Sequence, residues 1–306
     1  MRLLLSRKIL IPLVILLTVL AFFAGREYRV VERASFNWRI LWQGEDAQAI
    51  GLGGYKVVIE AQPIAGLDSD ASALSYDPDR KSLFTVTNKD AQLVELSLDG
   101  RTLRRIPLTG FGDSEAVEYI SPGVYVISDE RKQRLIKIHV DDETTFLDAK
   151  DAEQLTLGIG SGNNNGYEGL AYDTKGQRLF VAKERRPVQI IEVRGFPYAN
   201  VETPNVEVSS DSRRNAEIFV RDISSLQFDE RSGHLLALSD ESRQIVELDT
   251  KGRAVGNVSL SQGSMGLRKT VPQAEGIAMD DEGTLYVVSE PNLFYVFKKQ
   301  ERQTAL

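Results

Sequence analysis

Five stretches of the chain begin and end on oxygen-bearing side chains: Ser72 and Asn88, Glu115 and Asp129, Glu168 and Glu184, Ser224 and Asp240, Glu275 and Glu290. Seven of these ten positions are carboxylates and an eighth is an amide, in a chain where 44 of 306 residues are acidic. Packing does not produce such an excess, because like charges brought together repel. A hard cation resolves the conflict. Calcium takes six to eight oxygens in flexible geometry, from carboxylates, amide carbonyls, backbone and water. Zinc fits poorly, since none of the ten residues is His or Cys, and magnesium accepts fewer protein ligands. The candidate ligands are therefore Glu115, Glu168, Glu275, Asp129, Glu184, Asp240, Glu290 and Asn88, with Ca2+ as the expected ion. Glu115, Glu168 and Glu275 rank first because each opens its stretch. The competing reading has these acids capping loop backbones or pairing with Arg131, Lys132, Arg185 and Arg186, which follow directly.

The elements that must position these acids recur along the chain. Ser72–Asn88, Glu115–Asp129, Glu168–Glu184, Ser224–Asp240 and Glu275–Glu290 start at successive spacings of 43, 53, 56 and 51 residues. Each reads as a short strand, a tight polar turn (Asp-Pro-Asp, Ser-Pro-Gly, Thr-Lys-Gly, Arg-Ser-Gly, Asp-Glu-Gly) and a second short strand. A third strand follows each time, at Gln92–Leu98, Arg134–Val140, Val188–Val193, Gln244–Asp249 and Leu293–Phe297, and a fourth is expected after four of them, for example at Thr102–Leu108 and Ala254–Leu260. Meanders repeating every 40–50 residues are propeller blades. No amphipathic helix of useful length interrupts the repeats, which excludes helical repeats and an α/β sheet. In an antiparallel hairpin the start of the first strand and the end of the second share an edge. With the first strand innermost, the acids gather near the axis on one face. The fifth repeat lacks an outer strand, and Tyr55–Ala61 is expected to supply it and close the ring. The fold class is all-β, a five-bladed β-propeller; a six-bladed NHL-like ring is the alternative, and it would need a degenerate blade in Gly195–Asp222.

Ile9–Ala24 is uncharged and apolar all round, which fits one N-terminal transmembrane helix with flanking Arg and Lys snorkelling to the interface. Arg2, Arg7 and Lys8 favour a cytoplasmic N-terminus. Cleavage as a signal peptide is disfavoured, because a cut after Ala24 or Gly25 puts Phe22 or Phe23 where a small residue is wanted. The expected organisation is 1–29 as cytoplasmic tip and anchor, 30–54 as linker, 55–299 as propeller and 300–306 as tail. Net charge is −7, yet residues 1–29 hold five basic residues and one acid, so the remainder carries −11. Such a body repels phosphate backbones, and nucleic acid is not an expected partner. The chain has no cysteine, which excludes disulfides, thiolate metal sites and cysteine nucleophiles.

GFGDSEAVEYI (110–120), SDERKQRLIKI (128–138), NNNGYEGLAYD (163–173) and AEGIAMDDEGTLYVVSEPN (274–292) resemble the SdiA-regulated family of bacterial envelope proteins, the YjiK group, over about residues 55–299. The resemblance implies an N-terminal membrane anchor, a five-bladed propeller distantly similar to NHL-repeat propellers, and a calcium site carried most safely by Glu115, Glu168 and Glu275. It implies a place on the bacterial inner membrane with the propeller on the periplasmic side, and supplies no established activity. Ser72 and Ser224 depart from the pattern, so a lopsided shell is expected. The expected function is a membrane-tethered binding or scaffold module holding a divalent cation. The alternative is a calcium-dependent hydrolase of an ester, lactone or phosphoester. Neither His139 nor His234 is placed as a general base, there is no G-x-S-x-G elbow, and Gly158–Gly166 lacks the Gly-Lys-Ser/Thr ending of a phosphate loop.

Overall fold

The computed structural model describes residues 7–27, 30–43, 48–67, 70–158, 166–185, 187–198 and 205–300. Its described strands form five antiparallel meanders, one per repeat. Blade 1 is Ala71–Asp77, Ser82–Thr87, Gln92–Leu96 and Thr102–Thr109; blade 2 is Ser114–Ser121, Val124–Asp129, Arg134–His139 and Glu153–Thr156. Blade 3 is Tyr167–Asp173, Arg178–Lys183, Gln189–Arg194 and Glu207–Ser210; blade 4 is Ser225–Asp229, His234–Ser239, Gln244–Leu248 and Ala254–Ser259. Blade 5 is Ala274–Met279, Leu285–Ser289 and Leu293–Lys299, completed by Tyr55–Pro63. The closing strand runs antiparallel to the last one, with Tyr55 opposite Lys299 and Pro63 opposite Leu293. The six-bladed alternative falls away. Among the described residues of Gly195–Asp222 the elements are the outer strand of blade 3 and a short helix, Ser212–Glu217, rather than a further meander.

The second and third strands carry the core. Ser82–Thr87, His234–Ser239, Gln244–Leu248 and Leu285–Ser289 are buried throughout, so both faces of these strands pack against neighbouring blades, as near-continuous apolar runs such as Leu235-Leu236-Ala237-Leu238 require. Outer strands alternate, as in Thr102–Thr109, where Ile106 and Leu108 turn inward and Arg105 and Pro107 outward. A short added strand, Leu147–Asp148, pairs in parallel with the end of that strand.

Two helices precede the propeller. α1 (Arg7–Glu27) covers the apolar segment, and Ile11, Leu16, Phe22 and Phe23 are exposed on it. Among the described residues no helix is long and apolar enough to cross a membrane. The stretch expected as a linker contains α2 (Val30–Gln43). α2 docks by Phe36, which stacks on Phe219 at 4.6 Å, and by Arg39, whose guanidinium donates to Glu217 at 2.8 Å and to the Ala254 carbonyl at 2.6 Å.

Candidate metal centre

The inner strands of blades 2, 3 and 5 each begin with a β-bulge, and in each the extra residue is the glutamate. Ser114 pairs with Asp129 and Ala116 with Ser128, leaving Glu115 unopposed. Tyr167 pairs with Lys183 and Gly169 with Ala182, leaving Glu168. Ala274 pairs with Ser289 and Gly276 with Val288, leaving Glu275. A bulge residue leaves the in–out alternation of the strand and its side chain is re-aimed. These three are close enough to feel one another's charge. Burial, and then the charges of Glu115 and Glu275, push the Glu168 carboxyl up to about 10. Burial, followed by Asp240, Glu290 and Glu115, pushes Glu275 up to about 8. Glu115 is pushed up to about 7 by burial, with Glu130 and Asp113 adding repulsion and hydrogen bonds from Asn88 and Ser72 opposing it.

Asn88 donates its Nδ2 to Glu115 at 2.6 Å, while its Oδ1 is buried with no donor among the described residues. Asp240 is partly buried, accepts from the Ala274 amide at 3.3 Å, and is raised chiefly by burial. Glu290 lies near enough to Glu275 to raise it. The carboxylates of Asp129 and Glu184 are engaged by other partners. The Asp129 carboxylate is fully buried and accepts from Arg134 Nε at 2.8 Å and from the Asp113 and Lys132 amides at 3.2 Å each. Glu184 is buried against the guanidinium of Arg185, which also reaches Glu241 at 2.8 Å. For these two acids the capping and pairing reading describes what their oxygens do.

Two further acids complete the group at blade 2. Among the described residues, Asp113, Glu115 and Glu130 are the one set of three acids offering oxygens within 4.8 Å of one another. Glu130 accepts from the Gly166 amide of blade 3 at 3.0 Å, and Arg131 lies 3.3 Å from Asp113. The axial glutamates couple electrostatically without converging to that distance, so the densest acid cluster sits beside the axis. Asp113 has counterparts in Asp70 and Asp222, each two residues ahead of its repeat's opening position. Asp70 accepts from the Lys89 amide at 2.6 Å, and Asp222 from the Glu241 amide at 3.1 Å. Aligning the repeats two residues further upstream reveals an aspartate in three of the five blades, with Gly166 and Gln273 at the other two positions.

Two further residues are built into the core, His234 and Tyr167. His234 is buried, with Nδ1 2.6 Å from Glu247, and the same Glu247 oxygen accepts from the Ile50 amide at 2.8 Å. His139 is exposed at the end of the third strand of blade 2. Of the loop Gly158–Gly166, all but the two end residues lie outside the described residues. Tyr167 is fully buried and belongs to the core.

A family model described as SdiA-regulated matches residues 47–298, most of the chain and all five blades. The chain belongs to the SdiA-regulated family. Solved structures similar to this SdiA-regulated protein include a luciferin-regenerating enzyme, 12% identical over 78% of this chain and 94% of that one, with a TM-score of 0.48. Regucalcin of Agrobacterium tumefaciens, a calcium-binding protein, is 11% identical over 79% and 93%, with a TM-score of 0.47. A nidogen/laminin complex is 16% identical over 72% and 73%, with a TM-score of 0.45.

Proposed function

We propose that this SdiA-regulated propeller binds a divalent cation, calcium by its donor chemistry, around Glu115, and works as a binding or scaffold module tethered to the outer face of a bacterial inner membrane. The observation that carries the reading is the position of Glu115. Its charge acts on both Glu168 and Glu275, and its carboxylate lies within 4.8 Å of Asp113 and Glu130 oxygens. The set is all oxygen, with Asn88 Oδ1 as a buried acceptor in need of a partner. Carboxylates plus an amide carbonyl are the ligands calcium takes, while zinc would call for His or Cys. When bound, the ion supplies the positive charge that lets these acids ionise together. Asp113, Glu115 and Glu130, whose oxygens lie within 4.8 Å of one another, would hold it together with Asn88 Oδ1, while Glu168 and Glu275 add their charge from blades 3 and 5. Neutralising these acids relieves the repulsion between blades 2, 3 and 5, which is what a rigid scaffold requires.

The tether rests on the N-terminal helices. α1 exposes an apolar surface, and on α2 Trp38, Leu41 and Trp42 are 64%, 81% and 72% exposed. Tryptophans beside an apolar helix suit the membrane–water interface.

Calcium titration of the full-length protein in detergent, followed by melting temperature, tests the cation. A ligand of the native state raises it, so the midpoint is expected to climb saturably with calcium and to lose that response in Glu115→Gln and Glu168→Gln. No shift with calcium, magnesium or manganese would refute the site. Ester and phosphoester screening in the same buffer separates a scaffold from a hydrolase: turnover that needs calcium and disappears in Glu115→Gln would replace the scaffold reading.

A further inference from the structure

The two ends of the propeller axis differ in chemistry. Four residues beyond the opening position of each repeat stand Tyr76, Tyr119, Tyr172, Phe228 and Met279, one per blade. At about 3.3 Å per residue they lie roughly 13 Å from the acid ring, at the opposite mouth. All five line a single cavity of about 200 Å³. Liquid water occupies about 30 Å³ per molecule, so the space matches a small organic molecule.

Glu118 lies in the wall of this cavity and is 7% exposed. It accepts from the Tyr172 amide at 2.9 Å and from Ser75 Oγ at 3.0 Å. The first of these bonds joins blade 2 to blade 3, and the equivalent residues make the same kind of bond without a charge. Ser75 Oγ accepts from the Tyr119 amide at 2.9 Å, and Gln227 Oε1 from the Met279 amide at 3.0 Å. The two remaining equivalents are Ala171 and Ala278. A neutral oxygen therefore suffices to bridge blades, and an ionisable carboxyl at Glu118 exceeds that need. No ion pair to Glu118 is formed among the described residues, and burial pushes its carboxyl up to about 8. The other charges in the wall are Asp229, Glu230, Asp280 and Asp281 against one base, Arg231. Arg231 is engaged, with Nε 2.9 Å from Asp229 and Nη2 3.0 Å from Met279 Sδ. The rim already attracts one cation: the Lys81 ammonium lies 5.8 Å from the centre of the Tyr76 ring and 2.5 Å from Asp281.

We propose that this mouth binds a small organic cation, an ammonium group carried on an apolar body, with the charge against Glu118 and the body within the ring of Tyr119, Tyr172, Phe228 and Met279. Aromatic faces attract ammonium groups most strongly where water is excluded, and a carboxylate beneath them fixes the charge.

The test is isothermal titration of the full-length protein in detergent, in calcium-containing buffer at pH 7.5, with benzylammonium chloride as probe and benzyl alcohol and benzoate as neutral and anionic counterparts. Benzylammonium is expected to bind saturably at one site, at least about tenfold tighter than either counterpart, the factor a charge-assisted contact supplies. Glu118→Gln keeps an oxygen for the Tyr172 amide and removes the charge, and is expected to weaken benzylammonium about tenfold or more. Tyr119→Leu leaves Glu118 in place and is expected to weaken it about threefold or more through the lost ring face. Glu143→Gln, an exposed acid outside this cavity, is expected to leave binding unchanged. The proposal fails if benzylammonium does not saturate, if it binds no better than benzyl alcohol, or if Glu143→Gln weakens binding as much as Glu118→Gln does.

Discussion

Glu168 is the residue where burial and like charge act most strongly together. Its folded-state carboxyl, like those of Glu115 and Glu275, is raised above the ordinary 4.5. Between 4.5 and the raised values the folded chain holds protons that the unfolded chain has released. Their stabilising contribution is complete below pH 4.5 and drains as pH rises through about 7, 8 and 10. The metal-free protein is therefore expected to lose melting temperature between pH 5 and 9, and calcium to restore most of it. Glu168→Gln should stabilise the metal-free protein at pH 8 by about 1–3 kcal/mol, and should flatten the slope. A flat metal-free profile, or no effect of Glu168→Gln upon it, would remove the case for crowded charge. A substitution at Asp129 is expected to act on stability in the other direction. Asp129→Ala leaves Arg134 buried without its carboxylate, costing about 3–5 kcal/mol, with the calcium-induced shift retained. Sequence made the excess of acids visible and ranked Glu115 first for opening its strand, but it kept Asp129 among the candidate ligands. Both occupy recurring positions, and what divides them is Arg134 reaching one carboxylate while the other sits in a bulge.

At the scale of elements, the hairpins were legible because their signals are local: turn residues between two apolar runs, repeated five times. The bulges were not, since a bulge belongs to the pairing of two strands rather than to either sequence. A trace of them survives in the Glu-Gly pairs at 168–169 and 275–276. A Cβ on Gly276 would stand 2.4 Å from the Ala73 carbonyl carbon of blade 1, and one on Gly169 3.0 Å from the Leu226 amide of blade 4. These glycines let adjoining inner strands approach where the acids are presented. Gly276→Ala is expected to destabilise the fold by about 1–3 kcal/mol, the usual cost of overpacking, and to weaken the calcium response by displacing Glu275. Gly53→Ala, where an added Cβ meets nothing within 4 Å, is the matched control and should change neither. Equal melting temperatures for the two variants would show that the close approach is dispensable.

At the scale of the whole molecule, the propeller is a ring joined by hydrogen bonds between its first and last strands. Tyr55–Pro63 lies along Leu293–Lys299; beyond that strand pair the Gln300 amide donates to the Gly54 carbonyl at 3.0 Å and Tyr55 Oη to the Gly283 carbonyl at 2.8 Å. The missing outer strand of the fifth repeat made this closure readable in sequence. The docking of α2 was not readable, because Phe36 finds Phe219 across a long separation that no local pattern announces. The two contacts predict two different truncations. A chain beginning at residue 48 keeps the closing strand and loses only the α2 contacts, about 1–3 kcal/mol for the burial of one aromatic side chain. A chain beginning at residue 64 leaves blade 5 with an open edge, which favours association between copies, and should melt lower by on the order of 10 °C or more. Calcium is expected to stabilise the first chain as it does the full-length protein, since every proposed ligand remains. In the second chain the response should shrink, because Glu275 stands on the inner strand of the blade that has lost its support. If the two truncated chains melt together and respond to calcium equally, the ring does not depend on its closing strand, and the acids are held by their own blades alone.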